Sequence, residues 1–258
     1  MTLLLLAHGS RDPRHAATVS ALAARTRSLA PSLRVAVAFL DFDRPGVGEA
    51  LAALHAAGER EVTAVPLLLT RAYHAKTDIP AALAEQTARL PGLRVRQAEV
   101  LGPDPLLLAA VTRRLGEAVA AGRGLGAGGL GPARRAEIGV VLAAAGSSDP
   151  EALAVLAETA REWRRTAGWC AVRPAFASAA RPTTADAVRA LRADGVRRVA
   201  VAPYVLAPGR LPDRIFAGAR EAGADVVAPV LGAAPELARL VLRRHAAARG
   251  AGRLLLAG

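Results

Sequence analysis

The chain contains few of several residue types on which many proteins depend. Its 258 residues include one cysteine, one lysine and only 3% aromatic residues. The single thiol, that of Cys170, cannot form an internal disulfide or build a zinc site from cysteines. Hydrophobic residues make up 52% of the chain, a globular composition in which alanine, valine and leucine must form the core.

Long apolar runs are also absent. No stretch approaches the roughly 18 residues that a membrane helix needs, so we expect no membrane partner. Residues 1–7 are too short for a secretory signal and lack its basic residues. They are interpreted as a buried strand, and the protein is expected to be cytoplasmic.

Concentrated charge is missing too, although the net charge is +12 and the isoelectric point is about 11.4. The basic residues are nearly all arginines, and no stripe of them alternates with aromatic residues that could stack on bases. The pattern therefore predicts no nucleic-acid partner. An anionic small molecule is compatible with the charge, and a compositional preference for arginine explains part of it equally well.

The chain repeats itself. Residues 6–13, with the sequence LAHGSRDP, return at residues 143–150 as AAAGSSDP, an offset of 137 residues. The same offset relates Arg44–Pro45 to Arg181–Pro182. A unit of this length indicates two domain-sized halves rather than the short repeats of a solenoid.

Later in the chain the offset falls to 130, since residues 100–102 and 230–232 share the sequence VLG. A Gly-rich segment with few bulky apolar residues separates the copies and has the composition of a linker. We therefore predict an active half at 1–121, a linker at 122–135 and a degenerate half at 136–258.

Each half alternates predicted strands with predicted helices. This alternation predicts an α/β fold in which each half has a parallel four-stranded sheet flanked by helices. Residues 250–258 are expected to form a tail after the last helix. In the first half the predicted strands are 2–7, 35–40, 62–69 and 93–101, and the predicted helices are 14–29, 48–57, 78–90 and 104–121.

Three candidate metal ligands follow three predicted strands. His8 follows the first strand, Asp41 the second and His74 the third. The carboxyl ends of parallel strands are where ligands bind in such sheets, and two imidazoles with a carboxylate suit Fe(II), Co(II), Ni(II) or Zn(II). The alternative is structural, because a lone histidine near a strand end is often only a hydrogen-bonded residue.

The repeat favours the functional interpretation. His8 corresponds to Ala145, Asp41 to Ser178 and His74 to the region of Leu211, so all three polar groups are lost together. A structural requirement would apply to both copies, whereas a function can be kept in one. The residues that shape the backbone persist in both copies: Gly9, Ser10, Asp12, Pro13 and Pro45.

Other polar residues have simpler interpretations. His15, His55 and His245 lie in predicted helices, where solvated or packed histidines are common. Asp43 stays an alternative carboxylate to Asp41. Four acidic residues form two pairs across the copies and are expected at helix starts: Asp12 with Asp149, and Glu49 with Asp186.

Three motifs together resemble the sirohydrochlorin chelatases, which are class II chelatases of tetrapyrrole synthesis. The motifs are residues 7–13 (AHGSRDP), residues 38–45 (AFLDFDRP), and residues 66–69 (PLLL) leading to His74 and to residues 78–80 (DIP). The resemblance covers the first half closely and the second as a degenerate copy, as in the long, internally duplicated members. It implies two chelatase-type halves with the tetrapyrrole in a cleft between them.

The resemblance also implies an activity. A divalent metal, Fe²⁺ or Co²⁺, would be inserted as substrate into sirohydrochlorin without ATP or an organic cofactor, for sirohaem or cobalamin synthesis. Iron is favoured and cobalt is a close second. The alternative is a metal or tetrapyrrole carrier without turnover. The oligomeric state is left open, and a monomer is compatible.

By position, the resemblance assigns the two catalytic histidines to His8 and His74. Both would also bind the metal, together with Asp41, where the family commonly has glutamate. Arg44 and Arg71 could pair with substrate carboxylates. The full set expected to contact the tetrapyrrole is Ser10, Arg44, Leu69, Thr70, Arg71, Ala72 and Tyr73.

Overall fold

The computed structural model describes residues 2–70, 78–121 and 129–254, with side chains up to residue 250. The elements of the first copy are β1 (Thr2–Ala7), α1 (Pro13–Leu29), β2 (Arg34–Phe39), α2 (Val47–Ala56), β3 (Glu61–Pro66), α3 (Ile79–Ala88), β4 (Arg94–Gln97) and α4 (Pro105–Ala120). After α5 (Pro132–Arg135), the second copy comprises β5 (Ile138–Ala144), α6 (Pro150–Ala167), β6 (Ala171–Phe176), α7 (Thr184–Ala193), β7 (Arg198–Tyr204), α8 (Arg210–Glu221), β8 (Val226–Val227) and α9 (Pro235–Leu254).

The strands form two four-stranded sheets with equivalent orders, β2-β1-β3-β4 and β6-β5-β7-β8. Every strand pair is parallel. The predicted α/β fold with two parallel sheets flanked by helices is confirmed.

The central strand β1 is buried on both faces, as its continuous apolar sequence predicts. Leu4 and Leu6 pack in one cluster with residues of α2 and α3. Because successive side chains of a strand point to opposite faces, Leu3 and Leu5 face the other side, where α1 packs on β2 and α9 packs on β3. Strand β1 is therefore buried along its whole length up to Ala7, the residue before His8.

The chain folds into two compact units, and the last helix of each sequence copy belongs to the unit formed mainly by the other copy. One unit comprises residues up to Gly102 together with residues from Gly232 onward, and the other comprises Pro103–Leu231. Accordingly α4 contacts β7 and β8, whereas α9 contacts α1 and β3. The compact units therefore differ from the division at 1–121, 122–135 and 136–258 that follows the sequence repeat.

Two equivalent arginines explain how this exchange is possible. Arg114 of α4 donates hydrogen bonds of 2.8 and 3.0 Å to the carbonyl oxygen of Leu231. Arg244 of α9 donates to the carbonyl oxygens of Val100, at 2.8 Å, and Leu101, at 3.0 Å. Arg114 corresponds to Arg244, and Leu101 to Leu231, at the offset of 130. Each last helix therefore carries an arginine that can donate to the carbonyl groups following the fourth strand of either sheet.

Several predicted boundaries differ from the structure. The third and fourth strands end at Pro66 and Gln97 rather than at residues 69 and 101. Val100 and Leu101 lie beyond the strand yet are buried, and an apolar run does not distinguish a strand from a buried loop.

The predicted linker and tail also contain helix. Residues 132–135 form the short helix α5, while residues 122–128 lie outside the described part of the chain. Helix α9 continues through Gly250 and Gly252 to Leu254 instead of ending before residue 250, since each interior glycine costs a helix only about 1 kcal/mol relative to alanine. None of the described helices is long and apolar enough to cross a bilayer.

Candidate functional site

The loops after β1 and β2 are held together by their backbones. The amide of Asp41 donates a hydrogen bond of 2.8 Å to the carbonyl oxygen of His8. Gly9 has a φ of 96°, and a Cβ atom at this position would lie 1.8 Å from the Asp41 carbonyl oxygen. The close approach of the two loops therefore requires glycine.

This approach places His8 beside Asp41. The His8 Nδ1 and Asp41 Oδ2 atoms are 3.9 Å apart, and the side chains are 42% and 60% exposed. The separation exceeds a direct hydrogen bond, and the Nδ1 atom of His8 is itself buried, so the exposed part of the imidazole lies elsewhere on the ring. The two side chains are thus partly open to solvent, and an imidazole beside a carboxylate is a donor set that divalent metals accept.

Asp43 has a different environment from Asp41. Its Oδ2 atom accepts a hydrogen bond of 2.9 Å from the amide of Ser10 and lies 3.8 Å from Nδ1 of His15. Its side chain is only 17% exposed. Asp43 therefore ties the two loops together, and Asp41 is the carboxylate that faces solvent beside His8.

His15 lies closer to the candidate site than its place in a predicted helix indicated. It sits in the first turn of α1 and contacts Asp43. Burial lowers the pKa of His15 from its ordinary value, the charge of Asp43 opposes this shift, and the proximity of His8 adds to it. His15 is therefore part of the surroundings of the two loops.

The acidic residues expected at helix starts are found there. Asp12 accepts a hydrogen bond from the amide of Arg14 at 3.0 Å, and Asp149 accepts one from the amide of Glu151 at 2.9 Å. Glu49 accepts a hydrogen bond of 2.9 Å from the amide of Gly46. These carboxylates satisfy backbone donors at helix starts, which agrees with their presence in both copies.

The second copy keeps the loop shape without the chemistry. Gly146 also has a φ of 96°, and its added Cβ would lie 1.9 Å from the Ser178 carbonyl oxygen. The amide of Ser178 donates a hydrogen bond of 3.0 Å to the carbonyl of Ala145. The backbone of the first site is therefore reproduced, whereas its imidazole and carboxylate are replaced by alanine and serine.

The structure describes four of the seven residues that were predicted to contact the tetrapyrrole. The Ser10 hydroxyl accepts a hydrogen bond of 3.1 Å from the amide of Asp12. Arg44 is 83% exposed and pairs with Glu49. Leu69 and Thr70 are partly exposed after β3. The other predicted site residues lie outside the described residues: Arg71, Ala72, Tyr73 and His74.

Within the described residues, no group of three or more histidine, cysteine, aspartate or glutamate side chains is arranged to hold a metal. The structure brings together two of the three predicted ligands, His8 and Asp41. The assignment of the third to His74 stays a prediction.

The sequence did not predict a role for two residues of this region, Phe42 and Arg11. Phe42 is 61% exposed, and its ring lies edge-on to that of His8 with 6.4 Å between the centroids. The guanidinium carbon of Arg11 lies 5.3 Å from the centroid of the Phe42 ring. In the sequence, Phe42 stands between Asp41 and Asp43 after a predicted strand, and no pattern there indicates what its ring contacts.

The fold and these loops define a class of protein: a duplicated α/β protein with a candidate metal-binding pair in one copy only. The sequence model of the CbiX family matches residues 2–118 and 139–248, which together form most of the chain. The protein belongs to the CbiX family.

Curated relatives include chelatases of both metals. A sirohydrochlorin cobaltochelatase of Priestia megaterium is 28% identical over 215 residues, which cover 83% of this chain and 67% of the relative. A sirohydrochlorin ferrochelatase of Bacillus subtilis is 26% identical over 213 residues, which cover 83% of this chain and 77% of the relative.

Solved structures share the fold along nearly the whole chain. SirB from Bacillus subtilis with Fe³⁺ superimposes with a TM-score of 0.80 at 24% identity, covering 96% of each chain. SirB from Bacillus subtilis subspecies spizizenii in complex with cobalt gives a TM-score of 0.73 at 22% identity, covering 95% of this chain and 94% of that one.

Proposed function

We propose that the protein is a sirohydrochlorin chelatase, which inserts a divalent metal into the tetrapyrrole without ATP. The observation that carries this proposal is that the partly exposed side chains of His8 and Asp41 lie side by side at the carboxyl edge of the first sheet. The family membership and the names of the relatives support the same reaction.

The residues present suit the chemistry of insertion. The macrocycle must lose two pyrrole protons while the metal exchanges its ligands. A neutral imidazole can accept a proton from a reacting group, which is the role proposed for His8 and for His74. A carboxylate from Asp41 binds a divalent cation without the softness of a thiolate, so the metal can pass on to the macrocycle nitrogens.

The charge of the chain supports a polycarboxylate substrate. The net charge is +12, and its basic residues are almost all arginines, which bind carboxylates through paired, charge-assisted hydrogen bonds. Arg44 is exposed beside the loop that carries Asp41, and we propose that it binds a peripheral carboxylate.

The metal preference is proposed as Fe²⁺, with Co²⁺ a close second. The described ligand pair offers nitrogen and oxygen donors that both metals accept. Parallel insertion assays with the two metals, compared by kcat/KM, would assign the preference.

The proposal is tested by following the absorption of sirohydrochlorin after addition of Fe²⁺ or Co²⁺. The wild type should insert metal faster than the uncatalysed reaction, and H8A should lower the rate by at least about 100-fold, as expected for loss of a proton acceptor. His55 of α2, whose ring contacts the carbonyl oxygen of Pro91, provides a histidine control: H55A should keep the wild-type rate.

A wild type that matched the uncatalysed rate with both metals would contradict the proposal. If that protein still bound metal or tetrapyrrole, it would be a carrier rather than a chelatase.

A further inference from the structure

Phe42 combines an exposed aromatic side chain with a strained backbone conformation. Among the large hydrophobic side chains of the described residues, only Phe42, at 61%, and Leu29, at 46%, are exposed. Phe42 also has a φ of 63°, a left-handed conformation that bulky residues rarely adopt because it is strained. An exposed ring on a strained backbone beside His8 calls for a reason.

The second copy shows that the fold itself does not require an aromatic side chain at this position. Ala179 occupies the equivalent position with a φ of 59°, so the same turn forms around a methyl group. The turn needs the backbone conformation, and a small side chain would satisfy it at less cost. The phenyl ring is therefore an addition of the first copy, like His8 and Asp41.

Arg11 differs between the copies in the same way. Its guanidinium lies over the face of the Phe42 ring, with 5.3 Å between Cζ and the ring centroid, and Ser148 is its equivalent. Arg11 is exposed and forms no ion pair with any of the described residues. Its charge is therefore available to an anion, while the ring beneath it orients the guanidinium.

We propose that Phe42 and Arg11 form a recognition element for the tetrapyrrole. The Phe42 ring packs against the flat face of the macrocycle, and the Arg11 guanidinium binds one of its peripheral carboxylates. Aromatic stacking and charge-assisted hydrogen bonds both fit such a ligand. Because the ring of His8 meets the Phe42 ring edge-on at 6.4 Å, a macrocycle stacked there lies next to the candidate metal pair. This inference rests on the proposed function.

The test measures the dissociation constant of metal-free sirohydrochlorin and then the steady-state constants for insertion. F42A and R11A should each raise the dissociation constant and the KM for tetrapyrrole about tenfold, which corresponds to one aromatic or charged contact. The kcat and the KM for metal should stay within about twofold. F42Y keeps the ring and should restore the affinity.

Two controls separate recognition from folding. L29A removes the other exposed large apolar side chain and should leave both constants unchanged. With a fully esterified macrocycle, R11A should bind as the wild type does, because the carboxylate partner is gone.

Unchanged affinity in F42A and R11A, or equal losses for the free acid and the ester in R11A, would overturn the inference. The binding measurement decides it even if the wild type inserts no metal, so its failure is distinguishable from failure of the proposed function.

Discussion

Two aspartates of one loop, Asp41 and Asp43, are assigned opposite roles by their surroundings. Asp41 is 60% exposed beside His8, whereas Asp43 is 17% exposed and accepts a hydrogen bond from the amide of Ser10. D41A should therefore lower metal insertion at least about tenfold, the scale on which weakened coordination acts. Its free energy of unfolding should change by no more than about 0.5 kcal/mol, as for other exposed substitutions.

D43A should show the reverse pattern. Loss of the hydrogen bond between Asp43 and the Ser10 amide should lower the free energy of unfolding by about 1.5–3 kcal/mol, with a smaller loss of insertion by the folded protein. Urea denaturation and insertion assays on both variants check this. If D43A lost the activity and D41A the stability, the carboxylate that serves the metal would be Asp43.

Sequence comparison anticipated some of these residues and not others. Gly9 and Asp12 recur in both copies, and both proved to serve the backbone. The exposure of Phe42 and the contact between His15 and Asp43 depend on the path of the loop after β2. No periodicity or spacing reports that path, because it results from tertiary contacts between two loops.

At the scale of the element, α9 contributes a buried histidine to the first unit. His245 is 4% exposed, and burial, followed by the charge of Arg249, lowers its pKa from the ordinary value. The folded state therefore favours the neutral ring, and the unfolded state binds the additional proton. This contribution to stability is complete above the unfolded pKa of about 6.5 and is lost as the pH falls below it.

We expect the wild type to be less stable at pH 5 than at pH 7.5, and H245L to lose part of that difference. Urea denaturation of both proteins at the two pH values measures it. His15 should keep a residual pH dependence in the variant, since burial lowers its pKa as well. An identical pH dependence in the two proteins would show that His245 does not become protonated on unfolding.

The helices also show how far the repeat predicts structure. Alternating patterns located the helices α1, α2, α3 and α4 within a few residues. They did not indicate that α4 and α9 pack in exchanged units, because equivalent arginines and equivalent carbonyl groups make either pairing chemically acceptable. Hydrophobic patterning within a helix does not distinguish between the two pairings.

At the scale of the whole molecule, duplication provides an internal control for the site. Both copies keep the glycine and the backbone hydrogen bond between the two loops, whereas only the first has the imidazole, the carboxylate, the phenyl ring and the guanidinium. Backbone residues thus report what the fold requires, and the differences report what the reaction requires. Comparing the two copies of this one chain is enough to distinguish structural residues from functional ones.

The matched substitutions G9A and G146A test the asymmetry directly. Each glycine has a φ of 96°, and each added Cβ would lie within 2 Å of a carbonyl oxygen, 1.8 Å in one case and 1.9 Å in the other. Both variants should therefore lose similar stability, at least about 2 kcal/mol. G9A should also displace His8 from Asp41 and abolish most insertion, whereas folded G146A should keep turnover close to that of the wild type. Thermal unfolding and insertion at a temperature where both variants are folded give the comparison. Equal loss of turnover in the two variants would mean that the second copy takes part in the reaction and is more than a scaffold.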